Sequence, residues 1–170
     1  MMAMALNTGY SGWGAWKSSQ VARGVSSDAD RLGHILGMLV SQSAQSATAQ
    51  RWIDGPLESL IEISKDCATA NWNGEGALAI GEPALNEACD LLTLLPSSIP
   101  SPTIFAEPTG GIAFEWYKSP TKILILSVNG TRCIQFAALL GDGDEAHGKT
   151  NFSGSLPRAA QLLFERYLVL

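Results

Sequence analysis

Four side chains that could bind a metal ion or transfer protons lie close together near the C-terminal end of this 170-residue chain. Asp142, Asp144, Glu145 and His147 fall within the six-residue run DGDEAH. Carboxylate oxygens are the ligands that hard divalent cations prefer. The run is not an EF-hand loop, because no carboxylate closes it. The pattern predicts either the metal site of a small hydrolase or nuclease, or a solvated polar loop between a strand and a helix.

Other candidates for acid–base or nucleophilic chemistry are few. Glu107 and Glu115 fall on neighbouring predicted strands and could form a paired-carboxylate site, or else face solvent from the open side of a sheet. Apart from His147, the chain has one histidine, His34, which borders the apolar stripe of a predicted helix and is typical of a structural residue. The chain contains neither a P-loop nor a nucleophile elbow, and we predict no cofactor.

The run NWNGEGA, residues 71–77, is the most unusual in the chain. Gly74 and Gly76 allow backbone conformations that other residues avoid, and Asn73 followed by glycine is a natural turn pair. Trp72 can bury a large ring and donate one hydrogen bond from its indole nitrogen. Only Glu75 offers a reactive group, so the run favours a rigid joint between two helices over a catalytic loop.

The elements around these residues indicate an α+β fold. Apolar residues recur at helical spacing in four segments, the first of which should end at the run DGP, residues 54–56. The predicted helices span residues 28–53, 56–70, 82–95 and 156–170. Between residues 102 and 140 the period becomes that of strands, with an Asn-Gly pair typical of a tight hairpin turn. We therefore predict N-terminal helices and a C-terminal helix packed on a four-stranded antiparallel β-meander.

Composition excludes some function classes. Hydrophobic residues make up 46% of the chain and charged residues only 16%, with a net charge of −5, which argues against a non-specific nucleic-acid binder. Residues 1–53 carry a net charge of +2 and residues 54–170 a net charge of −7, counted from the sequence. Three widely spaced cysteines without a C-x-x-C pair indicate a reducing compartment, and we see neither a signal peptide nor a membrane span. The expected location is cytoplasmic.

The N-terminal part of the chain suggests contacts with another protein. Residues 1–27 form a predicted arm in which Tyr10, Trp13 and Trp16 stand among glycines, and exposed aromatic residues of this kind are typical anchors of interfaces. In the predicted helix at 28–53, Gly33 and Gly37 belong to a stripe of small residues four apart, which would let a second helix approach closely. Trp116, beside Glu115 in a predicted strand, is a further candidate for a binding surface. We expect residues 56–170 to form the folded α+β domain.

A resemblance follows from several of these motifs. The chain resembles a group of small uncharacterised bacterial and phage proteins with a W-D-G-x-G-A run, a helix and an E-W strand, over about residues 56–168. The matching positions are Trp72, Gly74, Gly76, Ala77, Glu115, Trp116, His147 and Gly148. Asn73 departs from the aspartate usual in that group, which removes a carboxylate. The resemblance implies a protein associated with mobile elements, a class in which inhibitors and accessories of toxin or defence systems are common.

These observations favour one function and leave two open. The first is a non-catalytic protein-binding module, an inhibitor or accessory protein of a bacterial defence, toxin or mobile-element system. The second is a metal-dependent hydrolase or nuclease that uses the acidic loop 142–147. The third is a homo-oligomeric structural protein that assembles through residues 28–53.

Overall fold

The computed structural model describes residues 47–169, which form three helices and five strands. The helices are α1 (Ala47–Asp66), α2 (Glu82–Leu94) and α3 (Arg158–Leu168). The strands are β1 (Thr103–Ala106), β2 (Ile112–Ser119), β3 (Lys122–Val128), β4 (Cys133–Leu140) and β5 (Glu145–Asn151). The predicted arm at 1–27 and the first part of the predicted helix at 28–53 lie outside the described residues.

The strands form one antiparallel meander in the order β1-β2-β3-β4-β5. This confirms the predicted α+β class, but the sheet has five strands instead of four. The fifth, β5, occupies a segment predicted to be a polar loop. Its sequence, EAHGKTN, carries almost no apolar residues, so the alternation that identifies a half-buried strand is absent. At its centre Gly148 makes room for the ring of Phe136 on β4, because a Cβ there would lie 2.8 Å from Phe136 Cζ.

Helix α1 continues through Asp54, Gly55 and Pro56, where the sequence predicted one helix to end and another to begin. That prediction is wrong, and a contact made far along the chain explains why. Pro56 has no N–H to donate to the carbonyl of Trp52 four residues earlier. The Ser101 hydroxyl donates to that carbonyl instead, at 2.9 Å.

The start of the packed domain also differs from the prediction. The indole nitrogen of Trp52 donates to the Ile99 carbonyl at 2.7 Å, and Ile53 belongs to the hydrophobic core with 7% exposure. Both residues precede the predicted start at residue 56. The packed domain therefore includes at least these residues of α1.

The helices cover one face of the sheet. Helix α1 packs beside β1 and α2, α2 contacts β2 and β3, and α3 contacts β3 and β4. The apolar side chains that point toward them from the three central strands are almost fully buried. They include Phe114, Trp116, Leu124, Leu126, Ile134 and Ala138. Burial of this apolar area is the main stabilising contribution to the fold.

The hairpin between β3 and β4 is present as predicted, but its turn is longer than the two-residue turn that Asn129-Gly130 suggests. Residues 129–132 separate the two strands, and Arg132 adopts a positive φ of 57°. The Gly130 N–H donates to the buried carboxylate of Glu87 on α2 at 2.5 Å. The turn is therefore shaped by its contact with α2 as well as by its own residues.

None of the helices within residues 47–169 combines the length and the apolarity that a membrane span requires. The longest, α1, has charged residues along its exposed side, such as Asp54, Glu58 and Glu62.

Candidate functional site

The face of the sheet opposite the helices is the candidate functional site, and we call it the open face. Side chains alternate between the two faces of a strand, so the pairing register shows which residues share it. One row across the sheet holds Thr103, Glu115, Ile125, Ala137 and His147; the next holds Phe105, Ala113, Ser127, Gln135 and Lys149; the third holds Tyr117, Ile123, Leu139 and Glu145. No helix among residues 47–169 covers this face, since all three pack on the other one.

The centre of the open face is apolar. Leu139 is 39% exposed and Tyr117 is 60% exposed, and the half-buried Ile123 and Ile125 lie between them and the neighbouring rows. Phe105 adds a further exposed ring near the β1 edge. Single exposed apolar residues are normal on a protein surface, but several neighbouring ones indicate a surface that binds another molecule.

Charged groups surround this apolar centre, and most of them are acidic. The carboxylates are those of Glu115 and Glu145 in the rows and of Glu107, which directly follows β1, whereas Lys149 is the only lysine or arginine in the three rows. The Glu107 carboxylate is held over the sheet by the Ser127 hydroxyl, which donates to Oε1 at 2.8 Å. The open face is therefore acidic, like residues 54–170 as a whole.

Two adjoining cavities mark the part of the open face near β5. Their volumes are about 260 Å³ and 540 Å³, and both are lined by Ile125, Ala137 and His147. Both are shallow depressions that open to solvent on the surface of a sheet. Shallow, partly apolar depressions of this kind suit the projecting side chains of a partner better than they suit an enclosed substrate.

The four residues predicted to bind a metal do not converge on one point. Two of them lie before β5 and two lie on it. Asp142 lies in the turn before β5 with a φ of 52°, and Asp144 pairs with Arg166 of α3. Glu145 and His147 belong to β5 and point to the open face. No group of three or more metal-binding side chains occurs within residues 47–169. The structure therefore does not bring these four residues together as the prediction of a metal site requires.

Of the two interpretations of Glu107 and Glu115, the structure favours side chains on the open side of the sheet over a paired-carboxylate site. Glu115 lies opposite Thr103 in the register, whereas Glu107 lies opposite Gly111, four residues away along β2. The Glu107 carboxylate instead accepts a hydrogen bond from the Ser127 hydroxyl at 2.8 Å.

Of the six residues predicted to contact a partner protein, only Trp116 lies within the described residues. Trp116 is 2% exposed and points to the helices, where its ring meets Phe164 edge-on with centroids 4.8 Å apart. Its indole nitrogen donates to the Pro100 carbonyl at 2.8 Å. The prediction that Trp116 contacts a partner is therefore wrong, because the side chain belongs to the core. The other five predicted contacts lie outside the described residues: Tyr10, Trp13, Trp16, Gly33 and Gly37.

The run NWNGEGA forms a closed loop between α1 and α2. The backbone N–H of Asn71 donates to the Ala77 carbonyl at 2.6 Å, which joins the two ends of the run. Asn71 itself has a φ of 63°, and Gly74 and Gly76 also have positive φ values. Trp72 is half-buried beside the core, and its indole nitrogen donates to the Leu78 carbonyl at 2.9 Å.

Two asparagine side chains hold the interior of this loop. The Asn73 side-chain oxygen accepts from the N–H groups of Glu75 at 2.9 Å and Ala77 at 3.1 Å. The Asn71 side-chain oxygen accepts from the Gly76 N–H at 2.7 Å. The side-chain oxygens of both asparagines thus accept hydrogen bonds from within the loop. The geometry supports the interpretation of the run as a rigid joint.

Replacing Asn73 tests this interpretation. We expect Asn73→Ala to lower the free energy of unfolding by about 1–2 kcal/mol, because two backbone N–H groups lose their acceptor. We expect Asn73→Asp to change it by less than about 0.5 kcal/mol, because a carboxylate oxygen can accept both bonds. Urea denaturation followed by circular dichroism would measure both. Equal losses in the two variants would contradict the role of Asn73 as an acceptor.

Two cysteines of the described region, Cys67 and Cys89, are poorly suited to act as nucleophiles. Burial, with a smaller contribution from the Asp90 charge, raises the pKa of the Cys89 thiol to about 11. Burial and the charge of Asp66 likewise raise the pKa of Cys67. A raised pKa keeps the thiol protonated at neutral pH, and the thiolate is the reactive form. Both thiols are buried, while Cys133 is half-buried.

A third cavity, of about 390 Å³, lies beside the end of β2 where β1 does not extend. Glu115 and Tyr167 are among its lining residues. Burial, followed by the Glu115 charge, raises the pKa of the Tyr167 hydroxyl. A raised pKa favours the neutral phenol, so the hydroxyl is not primed as a base.

Comparison with protein-family models, with curated proteins and with solved structures finds no match. The candidate site therefore depends on the geometry of the open face. Sequence reasoning missed its centre because KILILSV, residues 122–128, is a continuous apolar run that predicts a strand buried on both faces. The informative signal was the alternation in IAFEWY, residues 112–117, which places Glu115 and Tyr117 together on the side opposite Trp116.

Proposed function

We propose that this chain is a non-catalytic protein-binding module and that it binds its partner through the open face. The supporting observation is the group of neighbouring apolar side chains, Tyr117, Ile123, Ile125 and Leu139, on a sheet face that no described helix covers. The core of a protein interface is formed by such side chains, with polar groups at the rim. The two shallow cavities beside His147 would accept the partner's projecting side chains.

The charge of the open face defines the kind of partner. Three carboxylates and one lysine surround the apolar centre, and residues 54–170 carry a net charge of −7. A complementary partner is a different protein with an apolar patch bordered by lysine and arginine side chains. Complementary charges accelerate association and select among partners more than they increase affinity. We therefore expect association to slow as the salt concentration rises.

The resemblance described above extends this proposal to a biological setting. It favours an inhibitor or accessory protein whose partner belongs to a bacterial defence, toxin or mobile-element system. In this proposal Tyr10, Trp13 and Trp16 supply additional anchors from the N-terminal part of the chain. Tyr and Trp are the side chains that most often dominate interface energies.

One matched pair of substitutions tests the binding surface. Leu139→Lys places a charge in the centre of the open face, while Leu162→Lys places the same charge on an equally exposed position of α3. We expect Leu139→Lys to weaken binding of the purified partner by about 10-fold or more, because a buried lysine would lose its hydration at the interface. Leu162→Lys should leave binding unchanged.

The partner would first be isolated by tagging the full chain and identifying the proteins that co-purify in near-equal amount. Titration calorimetry with the purified partner would then compare the wild type with both variants. Equal affinities for all three proteins would refute the open face as the binding surface. Loss of binding in Leu162→Lys alone would place the interface on the helical side.

A further inference from the structure

We infer that the outer edge of β5 is a self-association site, at which β5 of a second copy of this chain pairs antiparallel. The two edges of the sheet differ in how open they are. Strand β1 has only four residues, lies between Pro102 and Pro108, and contacts α1. Strand β5 has seven residues and contains no proline. Natural proteins block sheet edges with short strands, prolines, covering elements or charged side chains. Among residues 47–169, β5 has only the last of these, and its Glu145 and Lys149 have opposite charges.

The direction of the β5 backbone groups follows from two hydrogen bonds at the ends of its pairing with β4. The Leu140 N–H donates to the Asp144 carbonyl at 2.8 Å, and the Phe152 N–H donates to the Arg132 carbonyl at 2.9 Å. Bonded and non-bonded pairs alternate along an antiparallel ladder. Even-numbered residues of β5 therefore bond to β4, and the odd-numbered residues direct their N–H and C=O groups outward.

These outward groups belong to Glu145, His147, Lys149 and Asn151, all of which are exposed. Because β5 is the last strand of the sheet, none of the hydrogen bonds within residues 47–169 reaches its outer side. The same four residues carry their side chains on the open face. A second strand at this edge would therefore pair with their backbone and meet their side chains at the same time.

The charges of β5 select one register for pairing with a copy of itself. When His147 lies opposite His147 of the second copy, Glu145 lies opposite Lys149 of the second copy, and the same pair forms again by symmetry. This register forms about six backbone hydrogen bonds, all between outward-pointing residues. Opposite charges directly across a pair of strands stabilise it.

The registers shifted by one or two residues toward the C-terminus do not place Glu145 opposite Lys149. A shift that centres the pair on Gly148 places Glu145 opposite Asn151 and so loses both Glu145–Lys149 pairs, and a shift that centres it on Lys149 places two lysines opposite each other. Like charges directly across a strand pair are destabilising. The charge pattern thus favours the register centred on His147.

Pairing in this register would join two sheets into one continuous sheet with a common open face. The two cavities of each copy, both lined by His147, would meet at the junction. Each copy would then contribute His147, Glu145 and Lys149 to one enlarged surface. This surface differs from the contact predicted at residues 28–53, and the inference does not depend on the proposed function.

Charge reversal in the full chain tests the pairing. We expect the wild type to sediment at equilibrium as a dimer of the 18.0 kDa chain. Glu145→Lys alone and Lys149→Glu alone each replace two attractive pairs with two repulsive ones, which should raise the dimer dissociation constant by about 10- to 100-fold. The double variant Glu145→Lys with Lys149→Glu restores opposite charges in the same register and should recover the dimer.

A second pair of variants tests whether the dimer depends on the outward backbone hydrogen bonds of β5. His147→Pro removes an outward N–H without removing a bond to β4, and proline is tolerated in edge strands. We expect His147→Pro to be folded by circular dichroism but monomeric, whereas the control His147→Ala stays dimeric. A monomeric wild type, single charge variants that stay dimeric, or a double variant that stays monomeric would each overturn the inference.

Discussion

Replacing Trp116 with alanine is expected to lower the free energy of unfolding by about 3–5 kcal/mol. The side chain is 2% exposed, and its removal would leave a cavity between the sheet and α3 where the ring now meets Phe164. It would also leave the Pro100 carbonyl without the indole donor that now reaches it at 2.8 Å. Urea denaturation followed by tryptophan fluorescence and circular dichroism would measure the loss.

The adjacent residue provides a matched control. Tyr117 is 60% exposed and points to the open face, so we expect Tyr117→Ala to change the free energy of unfolding by about 0.5 kcal/mol or less. The same substitution should weaken partner binding, because it removes an exposed ring from the proposed binding surface. A large loss of stability in Tyr117→Ala with a small one in Trp116→Ala would reverse the assignment of the two faces.

The contrast between these neighbours shows what a strand sequence can predict. The alternation in residues 112–117 correctly places Phe114 and Trp116 on one face and Glu115 and Tyr117 on the other. It does not indicate which face the helices cover. Which face the helices cover depends on contacts with residues about fifty positions away, such as Phe164. The alternation of residue types within the strand contains no information about these contacts.

The other helices and strands could be predicted only where residues close together in the sequence determine them. The amphipathic helices α2 and α3 begin and end within two residues of the bounds predicted at 82–95 and 156–170, because their apolar residues recur at a helical spacing. The helix break at Pro56 was predicted from a local rule that a distant hydroxyl, that of Ser101, overrides. Strand β5 was missed because backbone pairing with β4 forms it, and few of its side chains are buried.

The candidate site was the part least open to prediction. Reactive residue types drew attention to Asp142, Asp144, Glu145 and His147, but their chemistry depends on convergence, which strand alternation and the ion pair with Arg166 prevent. Ile123, Ile125 and Leu139 carry no reactive groups and stand among other apolar residues in the sequence. An exposed apolar surface can be recognised only when the covered and uncovered faces of the sheet are known.

The second large effect is expected at the contact between the β3–β4 turn and the start of α2. Gly130 has a φ of 82°, and a Cβ at this position would lie 2.5 Å from Pro83 Cβ and 2.9 Å from the Ala84 backbone nitrogen. Gly130→Ala would force the turn away from α2 and weaken the bond from its N–H to the buried Glu87 carboxylate. We expect the free energy of unfolding to fall by about 2–5 kcal/mol, from overpacking together with the strained backbone.

Gly143→Ala separates the two causes. Gly143 also has a positive φ, of 76°, but no atom lies within 4 Å of the position its Cβ would take. This substitution therefore carries the backbone strain alone, and we expect it to lower the free energy of unfolding by about 1–2 kcal/mol. The difference between the two variants, measured by urea denaturation, reports the close contact with Pro83. Equal losses would show that α2 and the turn do not pack this closely, and Glu87 would then lack the partner that accounts for its burial.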